Sequence, residues 1–238
     1  MTANAEPAPP VRPTNDLFPD APVAWTRTDR PTQSMWGPVQ TAEELAPGIW
    51  TVTTAGHGGY ILSPERNARV HASWRTANRQ YEEDGDYCIV VHTFPEVIAA
   101  FGPSSEGLTD EQRLERCRQN LRDWKPDAWE AVTGESCTAL NSRKRREQAF
   151  AATYAERLVV TGAWGDWAAW VPDGLVGCLA YRGGHAARTY RDESWFLVPA
   201  AEYRQKNTFG FVIDETRHQR IEKPENPSAD KVRPQNAA

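Results

Sequence analysis

Four short apolar runs after residue 157 constrain this chain more than any other feature. Leu158-Val159-Val160-Thr161-Gly162-Ala163-Trp164, Leu175-Val176-Gly177-Cys178-Leu179-Ala180-Tyr181, Trp195-Phe196-Leu197-Val198 and Phe209-Gly210-Phe211-Val212-Ile213 are each bounded by Gly, Pro or Asp. The connections between them are too short for helical crossovers, so an antiparallel sheet is expected. A second strand-like stretch lies near the start. Gly48-Ile49-Trp50-Thr51-Val52-Thr53-Thr54 is β-branched and aromatic, and Gly56-His57-Gly58-Gly59 turns it into Tyr60-Ile61-Leu62, which reads as a β-hairpin.

Between these stretches the pattern is helical. Thr109-Asp110-Glu111-Gln112 has the form of a capping box, and Leu114, Cys117, Leu121 and Trp124 follow at helical spacing. Pro126 and Gly134 bracket a short helix through Trp129. A further helix from about Ser142 is marked by Phe150, Tyr154 and Leu158. Strands, then helices, then strands predict an α+β fold with an N-terminal hairpin, central helices and a C-terminal antiparallel sheet.

The ends differ from this body. Residues 1–34 hold 7 of the 18 prolines and few aliphatics, and 219–238 carry Pro224, Pro227 and Pro234 among polar residues. Both segments are expected as disordered tails around a single α+β domain over 35–218, with Phe18 and Trp25 as aromatic points able to dock. The formal net charge is −5, which argues against a general nucleic-acid binder or a membrane-surface protein. No run approaches the ~18 apolar residues of a membrane span. Met1–Pro10 lacks a basic segment followed by an apolar one, so secretion is not expected and the cytoplasm is. The four cysteines, Cys88, Cys117, Cys137 and Cys178, form no CxxC pair and read as reduced, mostly buried thiols.

Three constellations could carry chemistry. His57 sits among glycines, where positive φ is accessible and the imidazole at a hairpin tip is uncrowded; a solvated turn is the plainer alternative. Glu82, Glu83, Asp84 and Asp86 crowd four carboxylates into five residues. Such a run fits a cation site or the first turn of a helix. A helix here would stack Asp84, Cys88 and His92, and a strand would align Asp84, Asp86, Cys88 and His92; the sequence itself leaves metal and cofactor open. Arg143, Lys144, Arg145 and Arg146 open a predicted helix, where positive charge opposes the macrodipole, so an anion, nucleic acid or acidic partner is a candidate beside a solvated basic face.

The fourth feature is aromatic. Trp164, Asp166 and Trp167 flank a tight turn near Trp170 and Trp195, either as cover for the sheet or as an exposed interface. No G-x-S-x-G, papain-like or phosphate-loop spacing is present.

Taken in order, Trp36-Gly37-Pro38, Thr54-Ala55-Gly56-His57-Gly58-Gly59, Ser63-Pro64-Glu65-Arg66, Tyr81-Glu82-Glu83-Asp84, Phe94-Pro95, Gly162-Ala163-Trp164-Gly165-Asp166-Trp167, Trp195-Phe196-Leu197-Val198-Pro199 and Phe209-Gly210-Phe211-Val212-Ile213-Asp214 resemble a family of uncharacterised proteins carried on plasmids and phages of alphaproteobacteria. The resemblance implies a mobile-element setting and a bacterial cytoplasmic location, and no activity.

Two functions are expected from these readings. In the first, the chain is a mobile-element accessory protein that binds a host or element-encoded protein, such as a component of a host defence system, through Trp164, Asp166, Trp167 or Arg143, Arg145 and Arg146. In the second, it is a metal-dependent hydrolase of phosphoesters using His57 with Glu82, Glu83 and Asp84. The second requires the hairpin tip to meet the acidic cluster in space.

Overall fold

The computed structural model describes residues 25–102, 106–186 and 193–231, which gather into two compact units. The first unit comprises the chain up to Val70 together with Arg75–Glu83. It opens with β1 (Gln33–Ser34) and β2 (Gly37–Pro38), followed by β3 (Thr41–Ala46), β4 (Ile49–Thr53), β5 (Gly58–Leu62), α1 (Pro64–Arg69) and β6 (Gln80–Glu82). Strands β3 to β6 form an antiparallel sheet in that order. The expected hairpin is β4 and β5, in register from Ile49 opposite Leu62 to Thr53 opposite Gly58.

One face of this sheet buries Ile49, Leu62 and Tyr81, and the other buries Val52 beside Gly59. The Tyr81 hydroxyl donates to Asn67 Oδ1 at 2.6 Å and accepts from the Thr76 amide at 3.3 Å, so its polar end is satisfied inside the unit. Ser63 caps α1 by accepting from the Arg66 amide.

The second unit contains His71–Trp74 and everything described from Asp84 onward. Its helices are α2 (Tyr87–Thr93), α3 (Val97–Ala100), α4 (Asp110–Trp124), α5 (Pro126–Thr133) and α6 (Arg143–Thr153). The capping box at Thr109 is formed: Thr109 Oγ1 accepts from the Gln112 amide and Gln112 Oε1 accepts from the Thr109 amide. Pro126 starts α5, and Gly134 ends it at φ 74°, a conformation that glycine adopts without strain. Ser142 caps α6. Along α4, Cys117 and Leu121 are buried, but Trp124 at the end of the stripe is 53% exposed and lies under the Arg143 guanidinium.

The C-terminal sheet consists of β7 (Leu158–Trp164), β8 (Leu175–Arg182), β9 (Ser194–Pro199) and, after α7 (Ala200–Tyr203), β10 (Gln219–Ile221). All pairings are antiparallel, in the order β10-β9-β8-β7. Leu158, Val160, Cys178, Ala180, Phe196, Val198 and Ile213 make one apolar cluster on it.

Three expectations change. Leu158 does not extend the Phe150–Tyr154 helical stripe: α6 ends at Thr153, and pairing with β8 draws the β-branched run Val159-Val160 into the sheet. Phe209–Ile213 is not a full strand. It borders β7 through the bonds Val160 N to Phe211 O and Ile213 N to Leu158 O, bent at Gly210, whose φ is 148°. Finally, the inner parts of the expected tails are ordered. Trp50 Nε1 donates to Thr28 Oγ1, Trp25 lies 3.9 Å from the Arg66 guanidinium, and β10 lengthens the sheet. A few aromatic and β-branched residues suffice because each has a built partner; the expectation for 1–24 and 232–238 falls outside the described residues.

The Trp170 ring packs against Gly177 of β8, where any Cβ would run into the indole. Gly177→Ala is therefore expected to destabilise the protein by about 1–3 kcal/mol through overpacking. Urea unfolding followed by tryptophan fluorescence measures this as a lower midpoint with an unchanged slope.

Candidate functional site

The antiparallel pairing of β5 with β6 decides where the candidate residues meet. Gly59 stands opposite Glu82, so the residue preceding β5 and the residue following β6 are neighbours at one end of the sheet. His57 precedes β5, and Glu83 follows β6. Their ligating atoms, with that of Glu82, all lie within 4.8 Å of one another. His57 and Glu83 are exposed and Glu82 is half-buried.

The backbone at His57 is held firmly. Its carbonyl accepts from the Thr54 amide at 2.7 Å and the Thr54 hydroxyl at 2.8 Å, and its own amide donates back to Thr54 Oγ1 at 3.2 Å. The neighbouring glycines act differently from the expectation. None of Gly56, Gly58 and Gly59 has positive φ. Gly58 and Gly59 instead permit close approach. A Cβ at Gly58 would strike the Glu83 carboxylate and come within 2.9 Å of Val52 O, and one at Gly59 would strike the Trp36 ring and Tyr81 O. Glycine thus leaves the space into which the Glu83 carboxylate folds.

One imidazole nitrogen and two carboxylates are a donor set suited to a divalent cation such as Zn²⁺ or Mn²⁺. Two donors on one ion at ~2.0–2.2 Å stand no more than about 4.4 Å apart, so small rotations of these surface side chains would bring them within ligand distance of a common ion. Three protein ligands leave coordination positions for water.

The other candidates go elsewhere. Asp84 is outside this trio and belongs to the second unit. Asp86 precedes α2 and pairs with Lys125 at 2.9 Å. Neither alignment of Asp84 with Cys88 and His92 forms, because strand β6 ends at Glu82 and α2 starts only at Tyr87. Arg145 pairs with Asp127 and Glu130 on α5, and the Arg143 guanidinium lies over Trp124 and Phe209. Acids and rings from within the unit therefore take up two of the arginines expected to face an anion, leaving Lys144 and Arg146 exposed.

The aromatic residues divide between the two roles expected of them. Trp164, Trp170 and Trp195 stack with centroids 5.2–5.9 Å apart, while Trp167 is 46% exposed beside exposed Asp166.

Two histidine environments escape any reading of the sequence. His218 is buried; its Nδ1 accepts from the Asp214 amide, so Nε2 carries the proton and faces Glu202 Oε2 at 3.3 Å. His92 sits between Trp74 and Trp129 with centroids at 5.2 and 5.3 Å. Trp74 Nε1, Trp129 Nε1 and His92 Nδ1 are all buried without a hydrogen-bond partner, a conjunction that no local pattern announces.

The described residues thus define an α+β chain with an exposed histidine–carboxylate trio at a sheet end. Residues 29–155 match the model of a domain of unknown function, DUF7007, and the chain belongs to that family. The matched span contains the trio and the central helices but not the C-terminal sheet. No curated protein and no solved structure matches the chain.

Burial, aided by Arg118 and opposed by Glu135, holds the His92 pKa below its ordinary 6.5. The folded state then binds fewer protons than the unfolded chain below that pH. The stability tied to neutral His92 is present above about pH 6.5 and is lost as pH falls through the folded value. Melting curves between pH 7.5 and 5 should show a falling midpoint, with a shallower fall in His92→Phe.

Proposed function

We propose that this chain is a divalent-cation-dependent hydrolase of phosphoester bonds, with His57, Glu82 and Glu83 as the metal ligands. The approach of these three donor groups to within 4.8 Å carries the reading. The space left by Gly58 for the Glu83 carboxylate supports it. A cation held by His57, Glu82 and Glu83 would supply an activated water for attack on a phosphoester. The cation also offsets the two carboxylate charges, so an anionic substrate can approach a chain whose net charge is −5. The trio lies at the surface, which suits a phosphoester carried on a larger molecule.

Titration calorimetry with Zn²⁺ and Mn²⁺ tests the ligand set. One site per chain is expected, weakened at least tenfold in His57→Ala and Glu83→Ala, with metal-dependent cleavage of a bis-nitrophenyl phosphate ester lost in parallel. Gly58→Ala should also weaken the site while keeping all three ligands. Absence of a binding isotherm for either metal overturns the reading.

A second reading rests on the aromatic surface. Trp167 at 46% and Trp124 at 53% exposure are large apolar groups open to solvent. In this reading the chain is a cytoplasmic accessory protein of a plasmid or phage that binds a host protein. Capture from a host extract followed by size-exclusion chromatography tests it: a defined complex lost in Trp167→Ala supports it, and a clean monomer without a partner overturns it.

A further inference from the structure

Acids within the second unit answer most of its helical arginines. On α4, Arg113 pairs with Asp110, Arg116 with Glu106, and Arg118 and Arg122 with Glu115. On α6, Arg145 pairs with Asp127 and Glu130. Arg143, Lys144 and Arg146 differ: among the described residues no carboxylate forms an ion pair with any of them. Asp123, near the end of α4, instead accepts from the Arg143 amide at 2.6 Å and so faces the helix start. Glu147, the acid one turn along α6, is exposed.

What holds Arg143 is aromatic. Its guanidinium carbon lies 5.3 Å from the Trp124 ring centre and 5.5 Å from that of Phe209, and Phe209 packs against Phe150 of α6 at 6.1 Å. An aromatic face attracts a cation but carries no net charge, so the rings fix the guanidinium without neutralising it. Its Nε is buried with no hydrogen-bond partner. A guanidinium in this position keeps its charge and its planar donors for an oxyanion.

Apolar surface adjoins this charge. Trp124 is 53% exposed although the guanidinium lies over its ring, and Leu140 is 92% exposed. Leu140 belongs to the turn before α6, which Gln119 Nε2 ties to α4 through Asn141 O at 3.1 Å. The end of α4 and the start of α6 therefore combine two open apolar side chains with three cations that have no acid.

We propose that Trp124, Leu140, Arg143, Lys144 and Arg146 form a docking surface for an acidic peptide segment of another protein. The partner's carboxylates meet the cations, and an apolar side chain of the partner covers Trp124 and Leu140. Exposed Leu140 favours a peptide over a nucleic-acid strand: an aliphatic group gains by burial against an apolar side chain, whereas bases stack on aromatic faces. The net charge of −5 acts in the same direction, because it repels a long polyanion while a short acidic segment senses the local cations. This surface rests on the protein-binding reading above, to which it adds the chemistry of the partner, and it is independent of the metal site.

The test selects from a displayed library of random dodecapeptides on the intact chain at low salt. The enriched peptides, labelled with fluorescein, are then titrated by anisotropy. They are expected to combine several Asp or Glu with a Leu, Phe or Trp, and to bind more weakly as salt rises. Arg143→Gln and Leu140→Ser should each weaken them by roughly tenfold. Leu140 is almost fully exposed, so its variant reads the contact even if Arg143→Gln disturbs the helix junction. The proposal is overturned by a selection without an acidic consensus, or by acidic peptides that bind both variants as tightly as the unsubstituted chain. A labelled oligothymidylate that binds more tightly than every selected peptide also overturns it, in favour of nucleic acid. A Trp167-dependent complex in host extract would survive any of these results, so the surface and the broader protein-binding reading fail separately.

Discussion

The antiparallel register between β5 and β6 is the constraint on which the first unit depends. With Gly59 opposite Glu82 and Tyr60 opposite Tyr81, residues far apart in the chain are brought to one end of one sheet. The pairing is possible because Gly58 and Gly59 carry no side chain: the Trp36 ring covers one and the Glu83 carboxylate folds over the other. Tyr81 then anchors β6 from the opposite side through Asn67 and Thr76. Packing and chemistry share a cause here, since the close approach that buries the sheet also crowds the donor atoms. Crowded carboxylates repel unless water or a cation screens them.

Much of the fold is legible because its signals are local. The reciprocal bonds of Thr109 and Gln112, Pro126 at the start of α5, Gly134 at its end and Ser142 before α6 each lie within a few residues of what they control. The hairpin β4–β5 and the runs that form β7, β8 and β9 are similarly plain, being β-branched and bounded by turn residues. Strand β6 is not. Gln80-Tyr81-Glu82 has a single apolar residue, and it is extended because β5 pairs with it and Asn67 receives its hydroxyl. For the same reason the sequence poses the meeting of His57 with Glu82 and Glu83 only as a requirement, and the strand pairing supplies it. The basic run illustrates the converse: Asp127 and Glu130, distant in sequence from Arg145, supply the negative charge that the first turn of its own helix lacks.

In the second unit, burial acts on titratable groups in two ways. Around His92 the neighbours are indoles, which offer the ring no hydrogen-bond acceptor or donor within reach, and the neutral imidazole is favoured. Around Cys117 the neighbouring Cys88 and Tyr87 act with the charges of Arg113 and Arg116 to hold the thiol below the usual cysteine range despite its burial. Which ionic form a closed environment selects depends on what lines it, not on depth alone.

Strand β10 and the segment after it close the outer side of the C-terminal sheet: Gln219, Arg220 and Ile221 pair with Leu197, Phe196 and Trp195, and Pro227 O receives the Trp170 indole proton. A protein shortened at residue 218 would uncover the backbone groups of a strand whose side chains are among the most apolar in the molecule. Such a rim is a template for adhesion between molecules, so the polar, proline-bearing terminus doubles as a guard against self-association.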